Sequence, residues 1–132
     1  MNVFVDSSVF ISIWDKDDSN HKIALDKASK LQGDKDILIT SNIVVSEVLT
    51  VLSMKLGIEK ANKFGDYIVS EKLKVIFIDK DIHDEAFDIF KRRTSKNLSF
   101  FDCTSFALIR EFRIDKVFSF DKDYKKYKFD LV

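Results

Sequence analysis

Four acidic residues occupy positions where carboxylates could act together: Asp6, Glu47, Asp102 and Asp121. Asp6 directly follows the apolar run 3–5, and Asp121 directly follows the run 117–120. If both runs are parallel strands, their carboxyl ends meet at one edge of a sheet and bring the two side chains together. Each Asp alone has a structural alternative, because Asp is also favoured at helix N-caps and turns.

Glu47 is expected to point inward from a helix. Its neighbours on the same helix face, at i−4, i−3, i+4 and i+7, are Ile43, Val44, Val51 and Met54. Burying an ionised carboxylate costs several kcal/mol unless it is paired or bound to a metal. The sequence therefore predicts either a functional carboxylate or a buried salt bridge at this position.

Asp102 lies in the segment 100–109, which is apolar almost all round and predicts an interior helix. Ser99 and Asp102 also match a capping box, a structural role that is compatible with a functional one. Because this helix leads back into the strand at 117–120, its N-terminus is expected at the carboxyl edge of the sheet. Glu47, about one turn into the helix after the strand at 37–40, is expected at the same edge.

Carboxylates held this close repel one another, so a positive charge is expected among them. Oxygen ligands favour Mg²⁺ or Mn²⁺, and the chain has neither a thiolate cluster nor a His-x-x-x-His pair for zinc. His21 and His83 stand apart in polar surroundings and are interpreted as surface residues. Such ions activate water and stabilise both oxygens of an in-line phosphoryl displacement. The pattern therefore predicts phosphodiester hydrolysis.

The elements that position these acids alternate along the chain. Predicted strands span 3–5, 37–40, 75–78 and 117–120. Predicted helices span 8–14, 21–31, 43–56, 58–70, 82–93 and 100–112. The alternation predicts an α/β fold, a three-layer α/β/α sandwich with a central parallel sheet, formed by residues 1–132 as one domain.

Composition limits the class of protein and its compartment. The 132 residues are 45% hydrophobic and 33% charged, which excludes disorder, and 22 basic residues balance 22 acidic ones. Nucleic-acid binding would therefore require a local basic patch. Cys103 is the only cysteine, and the first residues lack the basic and apolar regions of a secretion signal. These features predict a cytoplasmic protein that is not membrane-bound.

Four motifs together resemble the PIN-domain nucleases, and the short single-domain form is most similar to the VapC-type toxins of prokaryotic toxin-antitoxin systems. The motifs are Val-Asp-Ser-Ser-Val-Phe at 5–10, Ser-Glu-Val-Leu at 46–49, Phe-Asp-Cys-Thr-Ser-Phe-Ala-Leu at 101–108 and Val-Phe-Ser-Phe-Asp at 117–121. The resemblance implies a PIN-like fold and a Mg²⁺- or Mn²⁺-dependent endoribonuclease that leaves a 5′-phosphate. It also implies a homodimer and a small antitoxin as partner.

The same resemblance assigns the acidic positions of the family to Asp6, Glu47, Asp102 and Asp121, and its small hydroxyl positions to Ser7 and Ser119. The segment 121–129 departs from the pattern, since it lacks the glycine often found before the last strand. Asp123 could therefore replace or assist Asp121 as a metal ligand.

Basic residues flank the expected site and could bind the phosphates of an RNA substrate: Arg92, Arg93, Lys96 and Lys122. The alternative is that they are solvated helix faces and turns. A second group of acids is expected at helix N-termini, where the helix macrodipole favours negative charge, and is assigned no catalytic role: Asp15, Asp17, Asp18, Asp79, Asp81, Asp84 and Glu85.

Other protein classes also place acids at the carboxyl edge of a parallel sheet. A haloacid-dehalogenase-type phosphatase needs a second Asp two residues after its nucleophile, where this chain has Ser8. A receiver domain needs an Asp after a central strand, which residues 40–42 do not provide. Two alternatives within the fold stay open, namely an RNA-processing nuclease without an antitoxin and a non-catalytic scaffold that binds RNA or protein.

Overall fold

Four short strands form a parallel sheet in the computed structural model, which describes residues 1–70 and 72–132. The strands are β1 (Asn2–Val5), β2 (Ile37–Ser41), β3 (Lys74–Ile76) and β4 (Lys116–Phe118). Their order across the sheet is β3-β2-β1-β4, and every neighbouring pair is parallel. The predicted strands and their parallel arrangement are confirmed. The structure adds that β1 lies between β2 and β4, because both strands pair with it.

Helices connect the strands and cover the sheet. They are α1 (Ser7–Trp14), α2 (His21–Gly33), α3 (Asn42–Leu56), α4 (Ile58–Val69), α5 (Lys80–Lys91), α6 (Phe100–Glu111) and α7 (Asp123–Lys126). The first six were expected from apolar periodicity, whereas the short α7 lies in a lysine-rich segment with too few residues to show a period. Within the described residues, no helix combines the length and apolar character needed to cross a membrane.

The register of the sheet determines which residues meet at its carboxyl edge. Val5 of β1 lies opposite Phe118 of β4, and the Asp6 amide continues the ladder by donating to the Phe118 carbonyl over 3.0 Å. The predicted last strand was too long, because β4 ends at Phe118. Ser119 and Phe120 therefore separate the strand from Asp121, and the chain turns before it reaches that carboxylate.

The core lies between the sheet and its helices. Val3, Phe4 and Val5 of β1 are at most 3% exposed, as expected for a strand covered on both faces. In α6 the whole segment 103–109 is buried, which confirms an interior helix. α6 packs on α5 and also contacts α3, and its N-terminus lies at the edge where β1 and β4 end.

Local sequence signals determine where several helices begin. The Ser41 hydroxyl accepts a hydrogen bond from the Val44 amide at the start of α3, and the Asp79 carboxylate caps α5 through the Ile82 amide.

The prediction that Asp15 begins a helix is wrong. Asp15 follows the last residue of α1, and its carboxylate contacts Lys55 of α3 at 2.9 Å, so it links the ends of two helices.

Candidate active site

Three carboxylates converge at the carboxyl edge of the sheet. Oxygen atoms of Asp102, Asp121 and Asp123 all lie within 4.8 Å of one another. Asp102 is in the first turn of α6, Asp121 follows β4, and Asp123 begins α7. The Asp121 amide donates to the Ser119 hydroxyl over 3.0 Å, and the Asp123 amide donates to Asp121 Oδ1 over 2.9 Å. The structure therefore brings both alternative acids beside Asp102.

Asp102 combines a structural contact with an unfavourable charge. Its Oδ2 accepts hydrogen bonds from the Ser99 amide and hydroxyl, which confirms the capping box. Burial, together with the charges of Asp6 and Asp121, raises the pKa of Asp102 to about 6, although the hydrogen bonds from Ser99 act in the opposite direction. The carboxylate thus has an electrostatic reason to bind a cation as well as a capping role.

Asp6 is the most enclosed of the site acids, with 5% of its surface exposed. Its Oδ2 accepts hydrogen bonds from the hydroxyls of Ser8 at 3.1 Å and Ser119 at 2.8 Å. Its Oδ1 accepts one from the Tyr124 hydroxyl at 3.1 Å. Burial raises the pKa of Asp6 even though these donors favour the charged form.

Glu47 lies half-buried on α3 and shares the electrostatic field of the cluster. Burial raises its pKa, the charges of Asp6 and Asp102 raise it further, and the Ser7 hydroxyl opposes them. No salt bridge to Glu47 is found among residues 1–70 and 72–132, so the structure gives no support to the ion-pair alternative. The expected apolar surroundings are only partly present, because Met54 at the far end of the predicted stripe is 84% exposed.

Two residues of this network, Ser8 and Tyr124, were missed as site residues from the sequence. The Ser8 hydroxyl lies 3.3 Å from that of Ser119 and accepts a hydrogen bond from the Phe120 amide, so it joins the ends of β1 and β4. The position of Ser8, two residues after Asp6, was a usable signal. The only signal for Tyr124 was an aromatic residue within a lysine-rich segment.

The donor set fits a divalent metal ion. Asp102, Asp121 and Asp123 offer carboxylate oxygens alone, as Mg²⁺ and Mn²⁺ prefer, and their spacing allows one ion to contact all three. The nearby charges of Asp6 and Glu47 add to the negative field that a cation would neutralise.

A family model described as PIN domain matches residues 3–130. The chain belongs to the PIN-domain family. The match begins within β1 and extends into the C-terminal segment, and it therefore includes all the acids of the site.

Among curated proteins, this PIN domain is similar to the 23S rRNA-specific endonuclease VapC20 of Mycobacterium tuberculosis. The two are 28% identical over 123 residues, which cover 92% of this chain and 91% of the relative. Ribonuclease VapC6 of Methanocaldococcus jannaschii is 27% identical over 150 residues, covering 97% of this chain and 94% of the relative.

Two solved structures share the fold of this chain. The crystal structure of Mycobacterium tuberculosis VapC20, described as a Sarcin-Ricin loop cleaving toxin, matches with a TM-score of 0.86 and 27% identity, covering 96% of this chain and 95% of that one. VapBC2 of Rickettsia felis, bound to a DNA fragment from its promoter, matches with a TM-score of 0.72 over 100% of this chain and 98% of that one. At 13% identity, the second match supports the fold alone.

Some of the residues expected to contact substrate in this PIN domain are engaged with other protein groups, whereas others are exposed to solvent. Ser7 faces Glu47, and Ser119 is engaged with Asp6. Arg93 is partly buried, with its guanidinium 3.5 Å from the centre of the Phe90 ring and Nη1 donating to the Phe90 carbonyl. The other three basic residues expected to bind phosphates are exposed: Arg92, Lys96 and Lys122. Their role in substrate binding stays a prediction.

Proposed function

We propose that this protein is a Mg²⁺- or Mn²⁺-dependent endoribonuclease that hydrolyses RNA phosphodiester bonds. The observation that carries the proposal is the convergence of Asp102, Asp121 and Asp123 within 4.8 Å. The family membership and the similarity to two proteins named as ribonucleases support RNA as the substrate. The similarity to a protein described as a toxin supports a role as the toxin of a toxin-antitoxin pair.

The acids take different parts in this proposal. Mg²⁺ or Mn²⁺ at this site would supply Lewis-acid chemistry, which favours deprotonation of the attacking water and offsets the charge of the scissile phosphate. Asp102, Asp121 and Asp123 hold the ion, and Asp6 completes the negative surroundings. Glu47 lies in the same field with a raised pKa, which makes its carboxylate a stronger base for taking up a proton from the attacking water.

The remaining assignments concern RNA and protein partners. Arg92, Lys96 and Lys122 bind substrate phosphates as exposed cations in this proposal. Ser7 and Ser119 support the acids by hydrogen bonding. The protein forms a homodimer and is inhibited by a small antitoxin, as the resemblance to VapC-type toxins implies.

Cleavage of labelled RNA tests the proposed activity. Two substrates are suitable, an oligonucleotide with the sarcin-ricin loop sequence and an unstructured RNA, each incubated with Mn²⁺, Mg²⁺ or EDTA. We expect metal-dependent cleavage that falls roughly a hundredfold or more in Asp102→Asn, because a misplaced reacting group loses rate on that scale. Asp26→Asn, which changes an exposed acid of α2, is the matched control.

Two outcomes decide between the alternatives. If both substrates bind but remain intact in Mn²⁺, the protein is a scaffold and the nuclease proposal is wrong. If RNA is cleaved but the neighbouring upstream reading frame encodes no small DNA-binding protein that inhibits it, a nuclease without an antitoxin replaces the toxin assignment.

A further inference from the structure

Tyr124 places its hydroxyl against a site carboxylate. Its side chain is fully buried, and its ring packs edge-on against Phe106 with centroids 5.1 Å apart and against Phe129 at 5.8 Å. Its hydroxyl donates to Asp6 Oδ1 over 3.1 Å. A phenylalanine ring would keep the same aromatic contacts, so these contacts do not account for the hydroxyl, which faces Asp6 and Ser105.

The hydrogen bond from Tyr124 acts on Oδ1 of Asp6, whereas the hydroxyls of Ser8 and Ser119 act on Oδ2. Ser8 and Ser119 both donate to Oδ2, so they anchor one end of the carboxylate. Tyr124 anchors the other end through Oδ1. A carboxylate oxygen can accept about two hydrogen bonds or metal contacts, so a hydrogen bond from Tyr124 is compatible with a metal contact at the same oxygen.

We propose that Tyr124 is a positioning residue that orients Oδ1 of Asp6 toward the metal ion held by Asp102, Asp121 and Asp123. This inference rests on the metal site of the proposed function. Tyr124 directly follows Asp123 in the first turn of α7, so the turn that carries one acid of the site also carries the donor that fixes Asp6. The buried ring anchors this turn in the core, and it thereby couples the geometry of Asp6 to that of Asp123.

The affinity for Mn²⁺ of the Tyr124→Phe variant tests this role, with free Mn²⁺ measured by electron paramagnetic resonance. We expect affinity to fall roughly ten- to a hundredfold, the range seen when a group that orients a metal ligand is removed. We also expect kcat for RNA cleavage to fall while KM changes little. Melting temperature in EDTA should remain close to that of wild type, because the ring still fills its site.

Tyr127→Phe is the matched control. Its ring packs on the same Phe106 at 5.1 Å, and its buried hydroxyl has no hydrogen-bond partner within the described part of the chain. We expect this variant to bind Mn²⁺ and cleave RNA like wild type. A second test combines Tyr124→Phe with Asp6→Asn, where the tyrosine change should weaken Mn²⁺ binding no further if it acts through Asp6.

Each outcome bears on one of the two proposals. If wild type binds Mn²⁺ and Tyr124→Phe binds it equally well, or if Tyr124→Phe does not fold, the positioning role is wrong and the proposed function stands. If Tyr124→Phe weakens Mn²⁺ binding as much in the Asp6→Asn background as it does in wild type, the positioning role is also wrong. If wild type binds no Mn²⁺, the metal site itself is wrong, and the role of Tyr124 is rejected with it.

Discussion

The backbone amide of Asp123 donates a hydrogen bond to Oδ1 of Asp121 over 2.9 Å, and this contact sets the two side chains beside each other in one turn. Both carboxylates meet Asp102 there, although they are separated from it by a helix and a strand along the chain. Because of this turn, Asp121 and Asp123 are both available to bind a metal ion together with Asp102.

Asp121→Asn and Asp123→Asn should each weaken Mn²⁺ binding and RNA cleavage by roughly tenfold or more, because each removes one charged oxygen donor from the same cluster. Isothermal titration with Mn²⁺ measures the affinity of each variant, with Asp26→Asn as control. If only one of the two variants lost affinity, the other carboxylate would have no part in holding the metal.

Asp102→Asn should melt in EDTA at the same temperature as wild type or higher. The amide oxygen can still accept the hydrogen bonds from Ser99, while the charge that repels Asp6 and Asp121 is removed. Asp102→Ala should melt lower than Asp102→Asn, because losing the cap costs about 0.5 to 2 kcal/mol. Calorimetry in EDTA at neutral pH distinguishes the two effects, and a clearly destabilised Asp102→Asn would assign a purely structural role to this residue.

Mn²⁺ should raise the melting temperature of wild type more than that of Asp102→Asn. A ligand that binds only the folded state stabilises it by about 2.7 kcal/mol when its concentration is 100 times Kd. Because the variant lacks one ligand of the cluster, the same concentration lies closer to its Kd and stabilises it less. Equal shifts in the two proteins, measured by calorimetry in millimolar Mn²⁺, would exclude Asp102 from the metal site.

Without metal, the protein should become more stable as pH falls from about 7.5 toward 5.5. The pKa of Asp102 in the folded state, about 6, exceeds the ordinary 3.8, so the folded state binds the proton more tightly than the unfolded state. The penalty from this group is therefore fully present only well above pH 6 and is relieved as pH falls through that value. Raised pKa values of Asp6 and Glu47 act in the same direction.

Melting temperatures measured in EDTA across this range, for wild type and Asp102→Asn, check the prediction. The variant should show a flatter profile, because it lacks the titrating group with a pKa of about 6. Identical profiles for the two proteins would show that Asp102 does not contribute to the pH dependence.

Lys55→Met should lower the melting temperature at neutral pH without changing Mn²⁺ affinity. The Asp15 carboxylate is 4% exposed and pairs with Lys55 at 2.9 Å, so the variant leaves a buried charge without its partner. The hydrogen bond from Lys55 holds the pKa of Asp15 below 3.8, so this stabilisation is present above that pH and is lost as pH falls through the folded-state pKa. Lys60→Met, which changes a lysine on the neighbouring α4, is the control. A Lys55→Met protein as stable as wild type would show that the pair is not stabilising.

Local patterns in the sequence were sufficient to predict the parallel sheet and, among residues 1–70 and 72–132, the four strands and six of the seven helices. Apolar runs such as 3–5 and 103–109 are recognisable because burial requires a fixed spacing of apolar residues within an element. The edge at which Asp6 and Asp102 meet followed from the direction of β1 and α6. Short-range hydrogen bonding also made the Ser99 capping box readable.

Tertiary structure alone decided the contacts between residues distant in the chain. The hydrogen bond between Asp6 and Tyr124 spans 118 positions, and no periodicity marks it, because one hydroxyl contact imposes no spacing on its neighbours. Whether Arg93 reaches solvent or stacks on Phe90 likewise depends on a side-chain rotamer chosen by packing. The sequence determined which acids reach the edge of the sheet, whereas the turn after β4 determined that Asp121 and Asp123 both approach Asp102, since turn geometry depends on hydrogen bonds that form only in the folded chain.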